Sequence, residues 1–379
     1  MAKKKSSKPI DGSLEETLAD SLNSLFEGQK VAYTLDELDA PTHVSDWIST
    51  GDSILDIKIS NRRYGGVPVG RITEITGLEQ SGKSLVSAHL LANTQKKGGV
   101  AVLIDTEMAV SREFFRAIGV DTKNLILVNA DTVEEIFSYI ENTIEQIRST
   151  VDNSRFVTIV VDSVAAASTE QELASDYGKD GYATGKAIII SKALRKITNM
   201  IGRQRITLVF TNQLRMKMNA PAFADPYTTS GGKGLQFHSS VRLRLKKKAK
   251  LKTKIKGNDV VSGIKVQAVV VKNRLGPPEG FCDFEINFNS GIDEYASWLK
   301  VIKDYKIVKK KGSYSVYDHI DKDTGEVLES WQFQTDDFKA RMKSDPIIRD
   351  AIYNEICDEM IMKYDEGDAE GEASELELA

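Results

Sequence analysis

Gly77-Leu78-Glu79-Gln80-Ser81-Gly82-Lys83-Ser84 follows a short apolar run at 71–76 and opens a helical stretch at 84–97. The pattern G-x-x-x-x-G-K-[ST] between a strand and a helix predicts a phosphate-binding loop. Its glycines let the backbone curl until successive N–H groups point inward, and the helix N-terminus adds partial positive charge. Lys83 is expected at the β- and γ-phosphates of ATP, with Ser84 on Mg²⁺. Working outward, apolar strand runs at 71–76, 100–105, 124–128, 157–162 and 206–211 alternate with helices at 84–97, 132–149 and 185–203. Such alternation predicts an α/β fold whose parallel sheet is covered on both faces.

Three further positions fall at strand ends on the loop's side of that sheet. Asp162 closes the run 156–162, where a carboxylate can hold the metal through water. Glu107 lies just past the run 100–105 and can orient and deprotonate an attacking water. Asp105 ends that same run and competes for the role; spacing alone does not separate the two. Gln213 follows the run 206–211, placed either to sense a γ-phosphate or as a surface glutamine.

Composition narrows the classes. The 379 residues are 41% hydrophobic and 28% charged, ordinary for a globular protein. No apolar run approaches the ~20 residues that span a bilayer. Cys282 and Cys357 are far apart, which argues against a disulfide framework and fits a reducing compartment. The net charge of −4 is unevenly spread. Acidic residues crowd 365–377 and basic ones 242–256, so a local nucleic-acid surface remains compatible with the sum. The run 246–256 reads as a solvated strand face or as a secondary site for duplex DNA; the acidic tail competes for that surface or simply aids solubility.

Four segments follow from these patterns. Residues 1–46 carry an amphipathic helix at 13–26, with capping-box residues Ser13 and Glu16 and a face of Leu14, Leu18, Leu22, Leu25 and Phe26. So short a helix needs a core or a neighbour to pack on. Residues 47–299 form the core, in which 241–254 alternates apolar and cationic residues like a half-exposed strand pair, with more strands at 264–272 and 282–288. Residues 300–364 read as a small α+β C-terminal domain, polar and turn-rich over 304–326. Its last helix is capped at Asp345-Pro346, carries Ile348, Ile352, Ile356 and Met360 on one face, and runs to about Tyr364. Residues 365–379 read as a disordered tail.

Taken in order, 48–51, 65–72, the phosphate loop, 161–166, 212–217, 228–232, 240–243 and 271–274 resemble the RecA-type recombinase core over roughly residues 13–300. Residues 317–331 and the acidic tail look more like phage-encoded members. The resemblance implies an ATP- and Mg²⁺-dependent, DNA-stimulated ATPase with a parallel-rich RecA-like sheet and an N-terminal assembly helix. It would polymerise head to tail on single-stranded DNA and exchange strands with homologous double-stranded DNA. It also implies residence in the bacterial cytoplasm, including that of a phage-infected cell, with single-strand-binding and loader proteins as further partners and no membrane. Rival readings are a ring-forming motor of the same fold and an ATP-binding mediator that does not hydrolyse.

Several roles rest on the resemblance alone. It selects Glu107 over Asp105 and makes Gln213 the nucleotide sensor. Lys272 and Arg274 match cations that reach the γ-phosphate of an adjacent subunit's ATP; otherwise they would read as surface charges. Phe114 and Phe288 match aromatic positions that sandwich adenine, against the plainer reading of core residues. Two DNA loops fall at about 174–185 and 214–230. Ser191, Arg195, Arg215, Lys217, Gly231 and Gly232 would grip phosphates, with Met216, Met218 and Phe223 alongside as apolar contacts. In the first loop the wedge position falls on Ala183, beside Tyr182. Phe237 joins the 14–26 face as an assembly contact.

Overall fold

The computed structural model describes residues 13–26, 30–35, 37, 40, 42–150, 155–175, 183–202, 204–217, 225–321 and 324–364. The chain separates into two compact units, one ending at Asp46 and one beginning at Trp47. The first contains α1 (Leu14–Ser24), entered through a complete Ser13/Glu16 capping box. None of the α1 residues is buried; Leu14 and Leu18 are 74% and 60% exposed.

The second unit runs β1 (Trp47–Ile48), α2 (Ser53–Ser60), β2 (Val67–Pro68), β3 (Ile72–Gly77), α3 (Lys83–Lys96), β4 (Val100–Asp105), α4 (Arg112–Ile118), β5 (Leu125–Asn129), α5 (Val133–Thr150), β6 (Val157–Asp162), α6 (Glu170–Leu173), α7 (Ala183–Gly202), β7 (Ile206–Met216), β8 (Tyr227–Thr229), α8 (Gly234–His238), β9 (Val241–Ile255), β10 (Asn258–Asn273), β11 (Gly280–Asn287) and β12 (Gly291–Asp293). The C-terminal part adds α9 (Glu294–Asp304), β13 (Lys309–Lys311), β14 (Tyr314–Ile320), β15 (Val327–Phe333), α10 (Thr335–Ser344) and α11 (Pro346–Met360).

A ten-stranded sheet in the order β12-β11-β10-β9-β3-β7-β6-β4-β5, with β8 added to β7, forms the centre. Strands β9 through β5 along that order are mutually parallel, and β10, β11, β12 and β8 are antiparallel to their neighbours. The expected two-faced burial is present. One face packs Val86, Leu90 and Leu91 of α3 together with Leu55 and Ile59 of α2. The other packs Ile136, Ile140 and Ile144 of α5 and Ile190, Leu194 and Ile197 of α7. Each such fully buried side chain contributes about 1.5–3 kcal/mol of transfer free energy, so deleting α3's inner face would cost the core its closure. The C-terminal residues Phe338, Met342, Ile352 and Ile356 belong to the α2/α3 cluster, so their core is continuous with that of the central sheet.

Several sequence expectations need correction. The stretch 241–254 is not a strand pair but a single strand, β9, paired with β10 around a two-residue turn. Both turn residues, Lys256 and Gly257, have positive φ, the conformation that matches hairpin twist. The turn-rich stretch 304–326 contains both β13 and β14, where Tyr317 is deeply buried but its strand neighbours are not, so alternation was faint. The final helix stops at Met360 rather than Tyr364. The second of the loops expected to bind DNA is shorter than expected. β7 continues through Met216, and Leu214, Arg215 and Met216 pair with Thr229, Thr228 and Tyr227. The first loop also ends early, because α7 begins at Ala183. Tyr182, Met218, Phe223 and the tail 365–379 lie outside the described residues.

Candidate active site and nucleic-acid interface

The parallel strands deliver the predicted chemistry to one edge. Gly77 at the end of β3 stands opposite Gln213 of β7, and Asp105 of β4 opposite Asp162 of β6. Between β3 and α3 the loop turns through two left-handed residues, Gln80 (φ 55°) and Gly82 (φ 96°). A Cβ on Gly82 would lie 2.7 Å from the terminal Ile286 Cδ1, which would have to shift, and the left-handed φ is what favours glycine there. No side chain caps α3, leaving its first N–H groups for a ligand. Ser81 Oγ on the loop is buried and has no hydrogen-bond partner among the described residues. Leu78 and Glu79 are exposed on the loop's outer side.

Lys83 Nζ donates to the loop's own carbonyls, Gly77 O at 3.2 Å and Leu78 O at 3.0 Å. Burial holds its ammonium below the usual lysine range, while Asp162, Glu107 and Glu79 pull the other way. Burial likewise raises the Asp162 carboxyl, opposed by hydrogen bonds from Ser84 and Thr211 and by the Lys83 charge. The Thr211 hydroxyl donates to Asp162 Oδ1 at 2.5 Å. A desolvated carboxylate beside a serine hydroxyl is a hard oxygen donor set, which fits Mg²⁺. The peptide joining Asp162 to Ser163 is cis. Glu107 is exposed and its Oε1 accepts the Ser163 hydroxyl at 2.7 Å. Asp105 is only 4% exposed, and its Oδ1 is already taken by the Glu107 backbone N–H at 3.0 Å.

A pocket of about 350 Å³ opens beside this edge, lined by loop residues 80–85 together with Phe114 of α4, Phe288 after β11, Ile264, Ile286 and Lys247. It brings both predicted aromatics to one cavity. Sequence reasoning missed Lys247, whose amine donates to Gln80 Oε1 at 3.2 Å. Its parity with the buried Leu243 and Leu245 on β9 was the available signal that it stands on the pocket side of the strand, although it is itself exposed.

Lys272 and Arg274 lie elsewhere. Lys272 pairs in register with Arg242, and Arg242 with Glu74, three residues before Gly77 on β3. That row lies about 10 Å back along the strand, and neither cation lines the pocket. Lys272 Nζ donates to the carbonyls of Gln236 and Phe237 at 2.8 and 2.9 Å, and Arg274 Nη2 to that of Phe237 at 3.2 Å. Burial first, then the charges of Arg274 and Arg242, push Lys272 down to about 8. Phe237 beside them is 73% exposed.

The predicted DNA contacts form two groups. Gly231 and Gly232, both at positive φ, pack on α7: a Cβ on Gly231 would lie 2.6 Å from Ile190 Cδ1, and one on Gly232 2.7 Å from Ala187 Cβ. Ser191 sits one turn along, its hydroxyl bonded to Ala187 O, and Arg195 is exposed on the following turn. The second group, Arg215, Met216 and Lys217, is exposed at the end of the β7–β8 hairpin. Lys217 Nζ donates to Asp225 O at 3.0 Å, and Arg244 pairs with the Asp225 carboxylate at 2.6 Å. Lys186 on α7, which sequence reasoning passed over, is close enough to Arg215 for their charges to repel.

A Gly-rich loop on a helix N-terminus, at the carboxyl edge of a parallel sheet with Asp162 and Glu107 beside it, defines a P-loop nucleotide-binding protein. Residues 22–293 match the RecA N-terminal domain. The sequence is 37% identical over 308 residues to Protein RecA of Helicobacter pylori strain G27, covering 81% of this chain and 82% of that one. It is 38% identical over 275 residues to Protein RecA of Ehrlichia chaffeensis, covering 73% and 72%, and 38% identical over 274 residues to Protein RecA of Campylobacter fetus, covering 72% and 75%. The chain belongs to the RecA family of recombinases. No helix among the described residues is long and apolar enough to cross a membrane.

Proposed function

We propose that the chain polymerises head to tail on single-stranded DNA, hydrolyses ATP between successive copies, and exchanges the bound strand with a homologous duplex in the bacterial cytoplasm. ATP lies with its phosphates on residues 77–84 and its adenine between Phe114 and Phe288. Ser84, and Asp162 through water, hold Mg²⁺, which when bound neutralises charge on the phosphate oxygens. Glu107 Oε accepts the proton of the attacking water, and Gln213 reports the γ-phosphate. Lys272 and Arg274 complete the site of the adjacent copy. The separation of that cation pair from its own P-loop pocket is the observation that carries this reading: Lys272 lies two strands from β3 in the row of Glu74, about 10 Å back from Gly77, and neither cation lines the pocket, so an ATP meets them from a neighbouring copy. A heterologous contact that does not close gives a filament, and exposed α1 and Phe237 supply apolar surface for it.

The direct test is ATP turnover with and without single-stranded DNA, together with electron microscopy of the same mixture. DNA-stimulated turnover and extended filaments are expected. Closed rings would favour the motor reading, and binding without phosphate release the mediator. Lys83→Ala should abolish ATP-dependent DNA binding by leaving phosphate charge uncompensated; unchanged nucleotide affinity would remove the P-loop from the scheme.

Salt dependence tests the DNA groups. Binding to single strands weakens with salt at a slope of about −0.7 per neutralised phosphate. Arg195→Ala, Arg215→Ala and Lys217→Ala should each weaken binding and flatten the slope by nearly that amount. Met216→Ala, Met218→Ala and Phe223→Ala should leave the slope intact and impair strand exchange instead. Native slopes in all three cationic variants would shift the DNA to the 246–256 run.

A further inference from the structure

Glu74 lies in the middle of β3 with its side chain 0% exposed. A carboxylate is rarely so buried unless it is paired and hydrogen-bonded, and each of its oxygens has a different partner. Oε1 accepts Asn212 Nδ2 at 3.0 Å, and Oε2 accepts Arg242 Nε at 2.6 Å. The two partners lead to opposite parts of the molecule. Asn212 directly precedes Gln213, and its amide also donates to Ser230 O at 3.0 Å, one residue before Gly231. Arg242 stands opposite Lys272 across the β9–β10 ladder, close enough for its charge to depress the Lys272 amine.

We propose that Glu74 is a positioning residue that ties the cations facing a neighbouring copy's ATP to the end of the DNA loop, so that nucleotide at the interface alters the grip on single-stranded DNA. The proposal rests on the trans role of Lys272 and on the DNA role of residues 214–232 given above. Lys272 has two alternative sets of acceptors: the Gln236 and Phe237 carbonyls it now holds, and a phosphate brought by a neighbour. Moving it from one to the other changes the field on Arg242. Glu74 cannot release Arg242 without stranding a buried charge, so a shift of Arg242 is passed on to Asn212 rather than absorbed. At that end too there is room for a second arrangement. Asn212 Oδ1 is buried without a hydrogen-bond partner among the described residues, an acceptor that a different placement of the loop can fill.

The experiment compares the full chain with Glu74→Gln and Asn212→Ala. Single-stranded DNA affinity is measured with and without a non-hydrolysable ATP analogue and Mg²⁺; the ratio is the coupling. Glu74→Gln keeps an oxygen for Asn212 but turns an amide donor toward Arg242, and should lower the ratio about tenfold. Asn212→Ala should lower it similarly. Linkage requires the gain in analogue affinity from DNA to fall by the same factor, which checks the two titrations against each other. Because an unpaired buried charge can unfold the protein, Glu74→Gln combined with Arg242→Met removes both charges together. This neutral pair should melt as cooperatively as the native chain and still lack the coupling. Native coupling in the neutral pair, or in Glu74→Gln alone, overturns the proposal while leaving the proposed function standing. A native chain whose DNA affinity ignores the nucleotide overturns both.

Discussion

Glu107→Gln is expected to bind ATP and single-stranded DNA like the native chain while hydrolysis drops about 10²–10⁴-fold, the usual consequence of removing a general base. The substitution keeps an oxygen that can accept the Ser163 hydroxyl, now 2.7 Å from Glu107 Oε1, so local geometry should persist. What disappears is a group able to take a proton from water. Asp105 is the control. It is buried and occupied by a backbone N–H, so it is badly placed to reach a water at the pocket mouth. Near-native turnover by Glu107→Gln, in single-turnover or steady-state measurements, would return Asp105 to the role of base.

A larger loss is expected from Lys272→Ala and Arg274→Ala. Cations supplied across an interface to a transferring phosphoryl group are worth about 10³–10⁵ in rate. The loss should appear only under assembling conditions, with nucleotide affinity of dilute protein little changed. Native kcat/KM should also decline as pH rises through about 8, because burial, Arg274 and Arg242 hold the Lys272 amine there and its charge is lost above that point. A profile flat well past that pH would mean that the Lys272 charge is not needed. An equal loss in dilute monomers would place both cations in their own subunit's site.

The nucleotide edge was legible in the sequence because each of its parts is local. A parallel strand buried on both faces is a continuous apolar run, and the residue after the run is automatically at the carboxyl edge; Asp162 follows from that rule, and Asp105 and Glu107 nearly so. The 3.6-residue stripes of α5 and α7 were equally plain. What escaped depends on pairing between distant segments. Tyr227-Thr228-Thr229 favours extended backbone but is too short to announce a strand by itself, and β8 exists because Thr228 and Tyr227 pair with the extension of β7. The 53–60 helix was passed over because Leu55, Asp56, Ile57 and Ile59 are all buried, which erases the amphipathic period. Lys247 was lost among lysines that look alike until the strand's parity assigns it to the pocket side. Lys272 and Arg274 had no local signal at all. Their position, set back from the P-loop, shows only in the register of β10, β9 and β3.

The central claim is that a working ATP site takes its P-loop and Glu107 from one copy and Lys272 and Arg274 from the next. Mixing two inactive variants tests it most directly. Glu107→Gln, which still binds ATP and DNA, has a loop side unable to hydrolyse and an intact cation face; Lys272→Ala has an intact loop side and a dead face. Each alone should show almost no DNA-stimulated hydrolysis. Equal parts, assembled together on single-stranded DNA, create junctions in which an intact loop meets an intact face, about a quarter of all junctions in a randomly mixed head-to-tail filament. Hydrolysis should therefore reappear on mixing, reach about a quarter of the native rate, and follow the product of the two fractions as the ratio is varied. A mixture as inactive as its two components at every ratio would contradict the shared site.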